Sequence, residues 1–177
     1  MDIIIKESAA NTNDSIVISK LAEEIWTEHY SGIIGERQVN YMLAKFQSRE
    51  SIDKQISDGG YRYFIAYAPA ASSGELEPVA YAAFVLCPNN ELFLSKLYVK
   101  KELRGFGVAG KLIDHAIASY DLIGKFSIYL TVNKNNIVSV AAYQKLGFEI
   151  TDSILADIGD SFVMDDYKMT KFFGGGM

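Results

Sequence analysis

Gly105, Gly107 and Gly110 stand at the spacing G-x-G-x-x-G, flanked by Lys96, Lys100, Lys101, Arg104 and Lys111 with only Glu102 opposing them. Glycines at that spacing, where a strand passes into a helix, let backbone N–H groups approach an anion, and the helix N-terminus adds partial positive charge. The chemistry this allows is holding a phosphate. The dipole contributes only about 0.3–1 kcal/mol at an exposed terminus, so loop shape and the neighbouring cations must supply the rest. The competing meaning is a tight strand-to-helix turn beside an ordinary solvated basic face.

Two nucleotide readings fail on their own requirements. A dinucleotide site expects an acidic residue at the end of the next strand. Here that strand ends Leu130-Thr131-Val132-Asn133. A P-loop expects Ser or Thr after Gly-Lys, and Gly110-Lys111 is followed by Leu112.

A second constellation lies downstream: Asn136 through Phe148, NIVSVAAYQKLGF. Read from Arg104, the glycine segment Arg104-Gly105-Phe106-Gly107-Val108-Ala109 fits R/Q-x-x-G-x-G/A. With Leu97-Tyr98-Val99 ahead of it and N-x-x-A-x-x-x-Y-x-K-x-G-F behind it, the stretch from Leu92 to Phe148 resembles the GCN5-related N-acetyltransferases. The first ninety residues match that family mainly in element order. Ser139 stands where the family commonly has Ala.

The resemblance implies acetyl-CoA as co-substrate and an acetyl group moved to a primary amine. It implies that Arg104, Gly105, Phe106, Gly107, Val108, Ala109, Gly110 and Lys111 hold the pyrophosphate of coenzyme A. The backbone of Leu97, Tyr98 and Val99 would pair with the pantetheine arm, Asn136 would cap its helix and touch the cofactor, and Tyr143 would donate a proton to the departing sulfur. Parallel strands splaying apart after Val99 and before Asn133 would admit that arm. An amine attacking a thioester needs no covalent enzyme intermediate, only positioning, loss of the ammonium proton and protonation of the thiolate.

One position departs from the family. Many members carry Glu two residues before the L-Y-V triplet, and this chain has Ser95 there. Serine is too weakly basic to deprotonate an ammonium unaided. The candidate bases are Glu91, at the start of the same strand, or Glu24, Glu28 and His29 of the first helix, with a water chain or an external supply of neutral amine as the alternatives. His115 reads as structural. Among Cys, His and carboxylates no cluster has metal-ligand spacing, so no metal is expected.

On the acceptor side, Trp26, Tyr30 and Tyr41 share the first two helices with Glu23, Glu24 and Glu28, and an acidic run extends from Glu149 to Asp166. Aromatic faces and carboxylates suit an aliphatic amine with more than one positive charge. Trp26, Tyr30, Glu28 and Ser95 are the substrate-side candidates. Asp165-Asp166-Tyr167-Lys168-Met169 also looks similar to the C-terminal stretch of bacterial polyamine acetyltransferases. The alternatives are a peptide or protein amine as acceptor, or a non-catalytic acetyl-CoA-binding sensor, the latter favoured by Ser95.

These residues need elements to position them. The 177 residues carry 49% apolar side chains and a net charge of −5, which suits one folded core and disfavours a general nucleic-acid binder. No apolar run is long enough to cross a bilayer, the N-terminus lacks a secretory pattern, and a lone Cys87 excludes an internal disulfide. A cytoplasmic protein is expected, with a homodimer admitted. The fold class is mixed α/β: an antiparallel meander, a parallel βαβ crossover, then a C-terminal hairpin. One domain over 1–173 and a flexible tail over 174–177 are expected. Ile18, Leu21, Ala22 and Ile25 predict a first helix capped by Asp14 or Ser15 and ended by Ser31-Gly32. Val39, Met42, Leu43 and Phe46 predict a second, and a third begins near Ser51. Strands follow at Tyr61–Tyr67, Val79–Cys87, Leu92–Val99 and Phe126–Val132. Helices follow the glycine loop and Asn136, and a hairpin turns around Asp157–Asp160.

Overall fold

The structure is a computed structural model that describes residues 2–70, 72–120, 122 and 124–174. Its seven strands form a mixed sheet in the order β1-β2-β3-β4-β5-β7-β6, accompanied by five helices. The backbone falls into two compact units, Met1–Val85 with Lys96–Asp121, and Leu86–Ser95 with Leu122–Met177. Strand β4 (Glu91–Val99) contributes to both.

In the first unit, β1 (Ile4–Glu7) pairs antiparallel with β2 (Tyr61–Pro69), and β2 with β3 (Leu76–Cys87). Arg62 grips both carboxylate oxygens of Glu7 at 2.6 and 2.7 Å, which holds that carboxyl below its usual range. Helix α1 (Asn13–Ile34) buries Ile18, Leu21, Ala22, Ile25 and Trp26, the stripe expected of an amphipathic helix. Its cap is Thr12, whose side chain accepts from Asp14 N, while the Asp14 carboxylate reaches back to Ala9 N. Nor does the helix stop at Ser31-Gly32. Ser31 Oγ donates to Thr27 O within the helix, and the chain turns only at Gly35, with φ of +84°. Helix α2 (Glu36–Phe46) follows, then α3 (Arg49–Asp58), started early because Ser48 caps it by accepting from Ser51 N. Helix α4 (Val108–Ser119) completes the unit and buries Val108, Leu112, Ile113 and Ala116.

In the second unit, β4 and β5 (Phe126–Asn133) run parallel through Glu91–Ser127, Leu92–Ile128 and Phe93–Tyr129. Helix α5 (Ile137–Lys145) leads into β6 (Glu149–Gly159) and β7 (Phe162–Phe173), and β7 pairs with both β6 and β5. The hairpin turns later than expected, at Asp160-Ser161, both left-handed with φ of 52° and 63°. Asp157 Oδ1 accepts from Gly159 N at 2.8 Å, so the expected turn becomes a bulge inside a continuing ladder. Of the expected tail, Gly174 packs against Gly124 and Lys125, and residues 175–177 lie outside the described residues.

Candidate functional site

In the first unit the glycine segment is shaped by two left-handed residues, Gly105 at φ +85° and Gly107 at +78°. A Cβ built at either would meet nothing within 4 Å. Backbone conformation therefore demands glycine here, not crowding, and the loop faces open space. Gly107 is the N-cap of α4, and no side chain caps that helix. Its first-turn N–H groups are presented to whatever approaches, which is an anion-binding arrangement. The residues present thus fit a pyrophosphate. Val108 is buried, which anchors the loop to the core, whereas Phe106 is 65% exposed.

The cations around the loop divide differently from expectation. Lys96 does not belong to the anion-facing cluster. It is 5% exposed and donates through Nζ to Gln55 Oε1 of α3 at 2.9 Å, above the rings of Tyr61 and Tyr63. Burial pushes its ammonium down to about 7. Lys100 and Lys101 pair with Glu24 and Glu28 of α1 at 3.1 and 3.3 Å. Arg104 turns back on the chain, donating through Nε to Val99 O at 3.0 Å and meeting His29 Nδ1 at 3.4 Å. It ties the start of the loop to β4 and α1, and Lys111 remains exposed one turn into α4.

The acceptor-side candidates of α1 also sit inside contacts. Trp26 is 4% exposed and packs on Tyr30 and Tyr98 with ring centroids 4.8 and 5.3 Å apart. Tyr98 in turn packs against Tyr81, so Leu97-Tyr98-Val99 is seated by an aromatic cluster.

The second unit holds Asn136, Tyr143 and an acid that sequence reasoning passed over. Asn136 caps α5 by accepting from Ser139 N at 3.2 Å, as the expected cap should. Its Nδ2 is buried without a partner. Tyr143 is half-buried, its ring 5.8 Å from that of Phe148, and Phe148 N donates to Tyr143 O at 3.0 Å as the helix ends. Gly147 at φ +88° makes this closure. The first turn of α5 exposes Ile137 and Val138 at 74% and 72%. The parallel ladder of β4 and β5 ends at Phe93–Tyr129, earlier than expected, and Ser95 stands beyond it.

Glu91 lies at the other end, within the closed part of that ladder. It accepts from Ser127 Oγ at 3.4 Å and lines a cavity of about 430 Å³ with Asn89, Lys125, Phe126, Phe172 and Phe173. The structure does not bring it to Asn136 or Tyr143.

The acid passed over is Asp166 on β7, opposite Asn133 of β5 and 4% exposed. Burial raises its carboxyl to about 6; Thr131 offers a hydrogen bond that pulls it down, and neighbouring Asp165 pushes it up. Strand alternation places Asp166 on one face of β7 with Lys168, Thr170 and the exposed Phe172, so the sequence pattern did not single it out. Among the described residues no group of three or more His, Cys, Asp or Glu is placed to hold a metal ion, and no helix is long and apolar enough to cross a membrane.

Comparison with known proteins agrees with the fold. The PaiA N-acetyltransferase of Thermoplasma acidophilum, solved in complex with coenzyme A, superposes with a TM-score of 0.75 at 21% identity, covering 98% of this chain and all of that one. Arabidopsis thaliana NAA60, solved with a bisubstrate analogue, gives 0.64 at 16% identity over 96% and 99% of the two chains. In sequence, the chloroplastic GCN5-related N-acetyltransferase 6 of Arabidopsis thaliana is 36% identical over 61 residues, 34% of this chain. The matched stretch spans 21% of that relative's length. The model of the acetyltransferase (GNAT) family matches residues 20–148, which contain both the glycine loop and the Asn136–Phe148 block. The chain belongs to the acetyltransferase (GNAT) family.

Proposed function

We propose that this protein transfers the acetyl group of acetyl-CoA to a primary amine, a small cationic amine such as a polyamine, with Tyr143 as general acid. The observation that carries the reading is the pair of left-handed glycines opening onto free space at an uncapped helix N-terminus. Backbone N–H groups of Gly105 to Gly110 bind the pyrophosphate, and Arg104 holds the loop's shape through Val99 O. Acetyl-CoA supplies the activated acyl group. The main chain of Leu97–Val99 and the unpartnered amide of Asn136 offer hydrogen bonds to the amides of the pantetheine arm. Exposed Ile137 and Val138 give that arm an apolar neighbour. Tyr143 delivers its hydroxyl proton to the leaving sulfur.

The acceptor reading draws on the acidic run of the C-terminal hairpin, from Glu149 to Asp166. The α1 acids support it less, because Glu24 and Glu28 already face Lys100 and Lys101. A reducing, cytoplasmic setting suits the lone thiol of Cys87. The test is coenzyme A release with a panel of spermidine, spermine, an aminoglycoside and an N-terminal peptide amine. Turnover with a polyamine supports the whole reading. Turnover with the others alone leaves acetyl transfer and removes the polyamine. Tight coenzyme A binding without turnover of any amine points to the sensor.

A further inference from the structure

Among the described residues, the second unit contains two buried polar side-chain atoms without a hydrogen-bond partner, Asn136 Nδ2 and Asp166 Oδ1. Their residues are 2% and 4% exposed. Both are tied to one point of the fold. Asn136 N donates to Asn133 O at 2.9 Å, and Asp166 is the ladder partner of Asn133 across β5 and β7. A buried acceptor left unsatisfied costs about 1–3 kcal/mol, more when charged, and folded proteins leave few of them.

The surroundings of Asp166 do not supply the missing partner. From the β5 side come Thr131, with one hydrogen bond, and Lys134, whose charge also lowers the carboxyl but whose Nζ is held by Asp165 at 2.5 Å. From β6 the register partner is Ile154, which offers no charge. Along β7, Asp165 repels, and Lys168 is drawn over the Tyr129 ring at 4.4 Å. A cationic donor from outside the chain would complete this corner, and an ammonium is such a donor.

We propose that Asp166 receives the ammonium of the acceptor and takes its proton, filling the role that Ser95 cannot; this rests on the acetyl-transfer reading above. The ammonium gives one N–H proton to Oδ1, leaving a lone pair on nitrogen and a neutral carboxyl. The nitrogen then bonds the acyl carbon, and the carbon–sulfur bond breaks with its electron pair leaving on sulfur. Tyr143 protonates that sulfur. The second proton shed by the nitrogen restores the Tyr143 hydroxyl, and Asp166 releases its proton to water. One proton is lost to solvent per amide formed. Burial has raised the Asp166 carboxyl to about 6, closer to the working range of a general base than an exposed aspartate.

The experiment measures kcat/KM for the amine against pH in the full-length chain, using whichever of spermidine, tyramine or a peptide N-terminal amine turns over fastest. Calorimetric titration with coenzyme A runs beside it. Asp166→Asn should lower kcat/KM by about 100-fold or more and remove the acidic limb of the profile, with coenzyme A affinity unchanged. Thr131→Val, which deletes the hydrogen bond holding the carboxyl down, should move that limb to higher pH. Wild-type kcat/KM in Asp166→Asn with the limb in place overturns the proposal, as does a parallel loss of coenzyme A binding. Should Asp166→Asn not fold, an unmoved limb in Thr131→Val overturns it. If wild type binds coenzyme A yet acetylates none of the three amines, the acetyl-transfer reading itself fails and takes this assignment with it.

Discussion

The corner around the glycine loop and the corner around Asn133 treat their charges in opposite ways. Beside the loop, Lys100, Lys101 and Arg104 are engaged by Glu24, Glu28, His29 and the Val99 carbonyl before any ligand arrives. Beside Asn133, Asn136 and Asp166 keep buried polar atoms without partners. The first corner is preorganised: partnered cations fix the backbone, and the backbone makes the contact. Exposed ion pairs of this kind contribute only about 0–1 kcal/mol each, so their value lies in shape. The second corner leaves two polar atoms buried without partners, and a group that satisfied them would offset that cost.

Breaking the first corner at its backbone should have the largest effect. Gly107→Glu puts a side chain at φ +78° and a negative charge at the helix N-terminus, so coenzyme A binding should vanish in a calorimetric titration while far-UV circular dichroism stays native. Unchanged affinity would remove the loop from the site. Next in size is Tyr143→Phe, which deletes one hydroxyl; turnover should fall by about 10²–10⁴-fold with coenzyme A affinity preserved.

A third measurement tests whether the second corner holds a stability debt. The Asp166 carboxyl titrates near 6 when folded against 3.8 when free, so the folded state binds the proton more tightly. Wild type is therefore penalised above pH 6, and the penalty fades as pH falls toward 3.8. In urea titrations, Asp166→Asn should be more stable than wild type at pH 8, with the gap closing near pH 4. Equal stability at pH 8 would show that the carboxylate is already satisfied. The smallest effect belongs to Glu28→Gln. Loss of one exposed pair with Lys101 should change coenzyme A affinity less than about five-fold, and a larger change would mean that shape depends on that pair.

Local patterns were the most legible part of the chain. The α1 stripe from Ile18 to Ile25, the Asn136 cap and the glycine loop all follow from residues close in sequence. The features that escaped depend on distant neighbours. Lys96 reads as one more surface cation until Gln55, Tyr61 and Tyr63 arrive from α3 and β2 to enclose it. Arg104 reads as a phosphate ligand until its guanidinium folds back on Val99 O. Asp166 belongs to an acidic run whose members look alike, and only the β7 register separates it from exposed Asp165. Competition among local hydrogen bonds explains the shifted ends: Thr12 outcompetes Asp14 for the α1 cap, and Asp157 converts an expected turn into a bulge.

Trp26 and Cys87 are each the chain's single residue of their type, and they fall one in each compact unit. Trp26 is held against Tyr30 and Tyr98, and the Cys87 thiol lies 3.7 Å from the Tyr129 hydroxyl at partial exposure. The native protein thus carries two spectroscopic reporters without mutation. Indole fluorescence follows the unit with the glycine loop, and a thiol-reactive dye follows the unit with Asn136 and Asp166. Recorded together during denaturation or ligand titration, the two signals separate the response of one unit from that of the other.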